Sequence, residues 1–421
     1  MAQTASLPKK GQSRRDIAIG IFFLLVAGFI LLLSQGTVGS TSTFVLTSQR
    51  GGVTIAAPDL LLPTATTLYV LAILSGLAGV WQLVKGFRRA NTVLTLIIAL
   101  AILAFLIWAT KDKSLNLTGM LVSSVVRATP IALAALSAIY SERTGVVNIG
   151  IEGMMLIGAF ASVVLASVTG NMLIGLLAGM AAAMLFGLLH ALLSIRYMVN
   201  QIVSGAGIII LALGLTSYLQ RAILNVNTQL NQPGPAIAAV AIPGLWRIPI
   251  IGPVLFNQSP IIYALIVMFV ATHFILYYTK WGLRLRSVGE HPKAADTLGI
   301  DVFKIRYTCV LISSAIAGLA GAYMSIGAAG RFNEGMSAGK GFLGLAAMIF
   351  GNWNPGGAYL GALIFGFFDS WQEKISILQV GIPADLLGMA PYIATMVVLA
   401  GFVGRSRMPA ADGTPYKKES T

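Results

Sequence analysis

The chain has 421 residues, 57% hydrophobic and 10% charged, with mean hydropathy +0.84, which is more apolar surface than a water-soluble core could use. A net charge of +14 would suggest nucleic acid in a soluble protein; among apolar runs this long it orients the chain and holds it at anionic lipid headgroups, so nucleic-acid binding is excluded. The single cysteine, Cys309, excludes an intramolecular disulfide and a thiolate metal cluster.

Lys9, Lys10, Arg14 and Arg15 precede an apolar run longer than a cleaved signal core, which predicts a retained first span. Nine uninterrupted apolar runs are long enough to cross a bilayer: Ile17 to Leu33, Leu68 to Val84, Thr92 to Ala109, Thr118 to Ile139, Gly150 to Val168, Met172 to Leu193, Asn200 to Leu219, Ser259 to Tyr278 and Thr308 to Gly327. Shorter pieces follow at Gly341 to Gly351, Ala358 to Trp371 and Met389 to Val403. The expectation is an all-α polytopic membrane protein with about 10 to 12 transmembrane helices. If every piece crosses, more than twice as many Lys and Arg fall on the side of the N-terminus as on the other, which predicts both termini in the cytoplasm.

Residues 1–16 are then a cytoplasmic tail, and 17–116 are peripheral helices rich in Leu, Ile and Val. Residues 117–403 are a packed core containing a loop at 279–307, and 404–421 are a cytoplasmic C-terminal tail. From Leu117 onward the helices are rich in Gly, Ala and Ser, as in Gly175 to Gly179 and Gly357 to Gly361, spacings that let backbones approach closely in lipid. Ser141 to Phe160 sets polar residues and glycines ahead of an apolar helix. Gly339 to Gly366 is interrupted at Asn352, Trp353, Asn354, Pro355 and Gly356. Interrupted helices at corresponding places predict a transporter-like core of two repeated halves with short or broken helices.

Within the spans the ionisable residues are Arg127, Glu152, His190, His273 and Asp369, with both histidines read as interfacial. So little buried charge points to energy supplied from outside the chain; an ion-coupled secondary carrier of small polar solutes is the alternative. Asn148 and Glu152, four apart, would share a helix face, as caps or as part of a gate. Asn200 and Gln201 open another span with the same two readings. Asn352, Trp353 and Asn354 could face a polar, ring-bearing solute or satisfy freed backbone groups.

The loop Lys280 to Arg306 carries six Lys or Arg. Gly289 and Pro292 punctuate it, Lys293 to Leu298 reads as one or two helical turns, Ala294 and Ala295 keep that helix slim, and Gly299 stops it. It is a lever for a soluble partner or a basic loop lying on lipid. A phosphate-binding G-x-x-x-x-G-K-[ST] motif is missing, since Glu334 stands where the first glycine before Gly339 and Lys340 would be, so the chain is not expected to hydrolyse ATP. No catalytic set, metal set or cofactor is expected.

The strings SERTGVVNIGIEGMMLIGAF, VGEHPKAADTLGI and GKGFLGLAAMIFGNWNP resemble permease subunits of bacterial ABC importers of the branched-chain amino acid, ribose and nucleoside type, most of all the nucleoside or simple-sugar subgroup. The resemblance runs from about Thr118 to Val403. It implies a non-enzymatic subunit of a bacterial inner or plasma membrane importer. Implied partners are a second related permease in a heterodimer, a cytoplasmic ABC ATPase subunit and an extracellular or periplasmic solute-binding protein. It also implies that Gly289, Glu290, Pro292, Lys293, Ala294, Ala295, Asp296 and Gly299 form an ATPase-coupling loop; Lys293 replaces the glutamate of the family's Glu-Ala-Ala-x-x-x-Gly signature.

Overall fold

The computed structural model describes residues 14–50, 53–235, 237–389, 392 and 407–418. Hydrocarbon offers no water to unpaired N–H and C=O groups, so a chain of this hydropathy closes its backbone bonds within helices. In order these are α1 (Arg14–Ser34), α2 (Thr64–Val84), α3 (Ala90–Ala109), α4 (Leu117–Glu142), α5 (Ile151–Thr169), α6 (Met172–Ala191, extended by a π turn to Arg196), α7 (Gln201–Leu219, extended to Leu224), α8 (Ile251–Leu255), α9 (Pro260–Tyr278), α10 (Lys280–Glu290), α11 (Pro292–Thr297), α12 (Val302–Ala322, extended to Ala329), α13 (Lys340–Phe350), α14 (Pro355–Leu378) and α15 (Ala384–Gly388). Among the described residues nine helices are long and apolar enough to span a membrane: α1 to α7, α9 and α12. The shorter pieces at 341–351 and 358–371 fall in the 11-residue α13 and the 24-residue α14. All of Met389 to Val403 but Met389 and Tyr392 lies outside the described residues.

The chain forms two compact units. The first comprises 1–48, 55–118 and 374–383 and holds α1 to α3, with α2 packed closely on α1 at Gly79 and Leu24. Its connections build a small sheet that hydropathy does not foretell: Thr41–Val45 pairs antiparallel with Leu60–Pro63 and parallel with Ser114–Asn116. Buried Ser42 ties this sheet to helix ends, donating to Ile107 O (2.7 Å) and sharing a hydrogen bond with Thr64 Oγ1 (2.8 Å).

The second unit comprises 49–54, 119–373 and 384–421. Its centre is α4, α5 and α12, whose apolar stretches are 72%, 72% and 83% buried, against 22% in α6 and 28% in α7. Glycines bring α5, α6 and α12 together: a Cβ on Gly318 would lie 2.5 Å from Gly179 O and 2.8 Å from Met180 Cα, and one on Gly158 would lie 2.7 Å from Gly318 Cα. With backbone against backbone, dispersion contacts and weak polar contacts replace the hydrophobic effect as the force that holds helices together in lipid. Arg127 of α4 is tolerated in a span because its guanidinium meets Asp369 (3.2 Å) and Glu373 (3.0 Å) of α14.

Gly318→Val forces a branched side chain into backbone that cannot yield, and it should cost about 2 kcal/mol or more of stability, read as earlier thermal unfolding in detergent. Gly214→Ala, at a site with open space around the glycine, should leave the transition unchanged or slightly later.

Candidate functional site

Between α4 and α5 the chain runs through a non-helical loop, residues 143–150, that is buried along most of its length. Irregular backbone at such a position must find partners in the protein, and each end of this loop does. Ser141 Oγ donates to Val146 O (2.6 Å), and Val147 N–H donates to Gln201 Oε1 (2.7 Å). Arg306 Nε donates to Thr144 O (3.1 Å), and His190 sits between Val147 O (Nε2, 3.0 Å) and Ser204 Oγ (Nδ1, 3.0 Å). A carbonyl only accepts, so Nε2 carries the proton and Nδ1 accepts from the serine.

His190 is wholly buried within the protein, whereas His273 is exposed beside Tyr277 and Tyr278. Arg306, expected as part of a basic loop surface, is also buried, at 1% exposure.

Asn148 and Glu152 do not share a helix face, because α5 begins at Ile151 and Asn148 still belongs to the loop. Asn148 reaches α12, donating to Ser313 Oγ (3.3 Å), which also meets Ser137 Oγ of α4 (2.9 Å). Glu152 caps not its own helix but α13: Oε1 accepts from Gly339 N–H (2.7 Å) and Oε2 from Gly341 N–H (2.6 Å). The carboxylate thus meets the positive end of a broken helix, where short charged hydrogen bonds are strong. A side chain on Gly341 would fill the space the carboxylate occupies. Asn200 is an exposed cap of α7, accepting from Ile202 N–H (3.0 Å) and Val203 N–H (3.2 Å), while its neighbour Gln201 is buried against the loop.

Asn352, Trp353 and Asn354 lie at the other end of α13, about 16 Å away along its axis at 1.5 Å per residue. Asn352 (φ 54°) and Trp353 (φ 53°) hold left-handed backbone that such residues seldom adopt. The bend is held from several sides. Trp353 Nε1 donates to Glu142 Oε2 (2.8 Å), Arg143 Nε to Trp353 O (3.0 Å), and Asn354 Nδ2 to Tyr277 OH (3.2 Å). The polar residues of the two ends are thus joined through α13 and the 143–150 loop.

On the side of Arg143 a helical hairpin projects. Thr279 caps α10 by accepting from Gly282 N–H (3.1 Å), and Gly289 lets α10 rest on the backbone of Arg143. Pro292 starts α11, and Gly299 (φ 79°) closes the turn after it. Ala295 is buried while Lys293 and Ala294 are exposed, and Leu298 at the tip is 81% exposed. A cleft of about 1010 Å³ adjoins this tip, lined by Arg284, Ser287, Leu298, Gly299 and Lys304 among others. Glu290 and Asp296 turn toward the C-terminal segment: Glu290 Oε2 accepts from Ala410 N–H (3.2 Å), and Asp296 lies 3.9 Å from Lys418 Nζ. The exposure of Leu298 is not legible in the sequence, because a single leucine in a basic loop has no periodic signature; its position immediately before a turn-closing glycine is the available signal.

Residues 120–403 match the family described as "Branched-chain amino acid transport system / permease component". The chain is 43% identical over 306 residues to the guanosine ABC transporter permease protein NupQ of Bacillus subtilis, covering 70% of this chain and 95% of that one. It is 38% identical to the nucleoside ABC transporter permease protein NupC of Lactococcus lactis subsp. cremoris (70% and 95%) and 33% identical to the putative glucose ABC transporter permease protein TsgC13 of Haloferax volcanii (72% and 98%). No solved structure matches it.

Glu152→Ala leaves the half-buried Gly339 N–H and the buried Gly341 N–H without their acceptor and should cost about 2 kcal/mol or more. Glu152→Gln keeps an acceptor oxygen and should lose less. Thermal unfolding of the two variants beside the parent protein checks the order, and equal midpoints for all three would contradict the capping role.

Proposed function

Because this chain belongs to the branched-chain amino acid transport system / permease component family, we propose that it forms the translocation pathway of an ATP-driven importer for nucleosides or a chemically related sugar. The membrane carries it as a multi-pass protein, with the α10–α11 hairpin facing the cytoplasm, where positive charge accumulates. A cytoplasmic ABC ATPase subunit docks on α11, a second related permease completes the pathway, and a binding protein outside the cell delivers the solute.

The observation that carries this reading is Leu298. A large apolar side chain left exposed just past a short helix held by Pro292 and Gly299, beside a cleft lined by Lys280, Arg284 and Lys304 together with Glu290 and Asp301, has the form of an interface anchor. Gly289, Glu290, Lys293, Ala294, Ala295 and Asp296 build the stem of the same projection. A push on the tip travels through α10 at Gly289 to Arg143, and on through the buried loop to His190 and Gln201 on α6 and α7, and to Ser313 on α12. At the loop's far end Glu152 passes it to α13. Displacement of these helices as packed bodies would alternate access to the pathway. The intramembrane charges Arg127, Asp369 and Glu152 are each engaged by partners within the fold, which favours an externally powered permease over an ion-coupled carrier.

The test is uptake of radiolabelled guanosine into vesicles holding the assembled complex. Uptake should require ATP and the ATPase, and the chain alone under an ion gradient should take up none. Leu298→Asp should reduce both ATPase co-purification and uptake at least tenfold. Gly299→Val, strained at φ 79°, should reduce uptake while sparing membrane insertion. Uptake by the isolated chain, or unaltered uptake in both variants, would overturn the reading.

A further inference from the structure

Residues 407–418 have almost no regular secondary structure, yet they are fastened to parts of the second unit that are remote in sequence. Arg407 N–H donates to Asn352 Oδ1 (2.7 Å) at the α13–α14 bend. Ala411 N–H donates to Gly289 O (2.9 Å) in α10, and Thr414 O accepts from Arg306 Nη1 (3.1 Å) of α12. Tyr416 is buried with Val288, Ala295 and Val302, its ring centroid 5.5 Å from that of Phe303. Gly145 shows how closely the segment passes the buried loop: a Cβ there would lie 2.8 Å from Ala411 O. The C-terminal segment, which lies beyond the 120–403 family match, thus packs on α11 alongside α10 and α12.

We propose that residues 407–418 are a strap that positions α11 and binds it to the buried loop, Arg306 and the Asn352 bend, so that force applied to α11 moves all of them as one body. The proposal rests on the permease reading above and adds a positioning element to it. Without the strap, α11 keeps its packing on α10 and α12 but loses its ties to the buried loop and the Asn352 bend, and a partner could rock it with less displacement of the helices beneath.

The Asp412 carboxyl supports the same picture. It lies beside Glu142 from α4 and Arg306 from α12, with Glu290 of α10 holding the neighbouring Ala410. Burial, the largest influence, pushes it up from 3.8 to about 7. An acid whose pKa is raised in the seated state holds its proton more tightly there, so the strap is held most firmly in acid. The hold weakens as pH rises from about 3.8 toward 7 and is level above that.

The experiment uses the full complex of permeases, ATPase and binding protein in vesicles and reads guanosine moved per ATP hydrolysed, together with ATPase co-purification. Removal of 407–421 and Tyr416→Ala should each lower transport per ATP on the order of tenfold, equivalent to ~1.4 kcal/mol, with the ATPase still bound and hydrolysing. Tyr416→Phe keeps the ring and should restore most of the coupling. An unchanged ratio in both strap variants, or loss of ATPase binding in both, would overturn the proposal.

Should the truncated chain fail to accumulate, a spin label at Lys417→Cys reads seating directly, since Cys309 is buried. The label should be more mobile in the Tyr416→Ala background and more mobile at pH 8 than at pH 5, and Asp412→Asn should reduce the pH difference. Equal mobility in every case would also overturn it. Uptake by the parent complex without its ATPase would instead refute the permease reading, while the label would still report on the strap.

Discussion

Everything in the second unit turns on one constraint: non-helical backbone buried among membrane helices must have its polar groups satisfied by the protein itself. Residues 143–150 are such backbone. Each partner they recruit comes from a different helix: Arg306 from α12, His190 from α6 and Gln201 from α7. Losing any one leaves a buried polar group unpaired, at a cost of about 1 to 3 kcal/mol. The loop is consequently a junction that ties α4, α6, α7 and α12 together, and the hairpin rests directly on its first residues.

The glycine contacts among α5, α6 and α12 serve this junction by bringing backbones close enough for short side chains to reach across. Ser137, Ser313 and Asn148 meet at separations that bulkier helices would not permit. Charge follows the same rule. Glu152 sits where the amide ends of α13 converge on it, and Arg127 sits where two carboxylates of α14 do. Each interruption of helical regularity has its compensation, and the interruptions at 143–150, 339–341 and 351–354 follow one another through space along the core.

Hydropathy makes the helical architecture legible, because a run of about 20 apolar residues has few alternatives in a bilayer. Gly299 and Pro292 likewise bracket α11 by backbone preferences that need no knowledge of neighbours. What the sequence hides is pairing over long separations. Thr144 and Arg306 are 162 positions apart, and Glu152 and Gly339 are 187 apart. A basic residue at a span end reads as a surface charge until the carbonyl that receives it is known, which is why the burial of Arg306 and His190 is not legible in the sequence. The i, i+4 spacing of Asn148 and Glu152 reads as one helix face because spacing alone cannot reveal that the helix begins three residues after Asn148. The small sheet at 41–63 and 114–116 escaped for a related reason, since its strands are too short to carry a period.

The most direct test is hydrogen exchange in the ATPase-bound complex, with and without a non-hydrolysable ATP analogue, read at the amides of 143–150. If the buried loop carries motion from the hairpin into the helices, protection at Gly145 and Val147 changes together with protection across 289–300. A change confined to 289–300, with the loop's amides unaltered, would contradict the account.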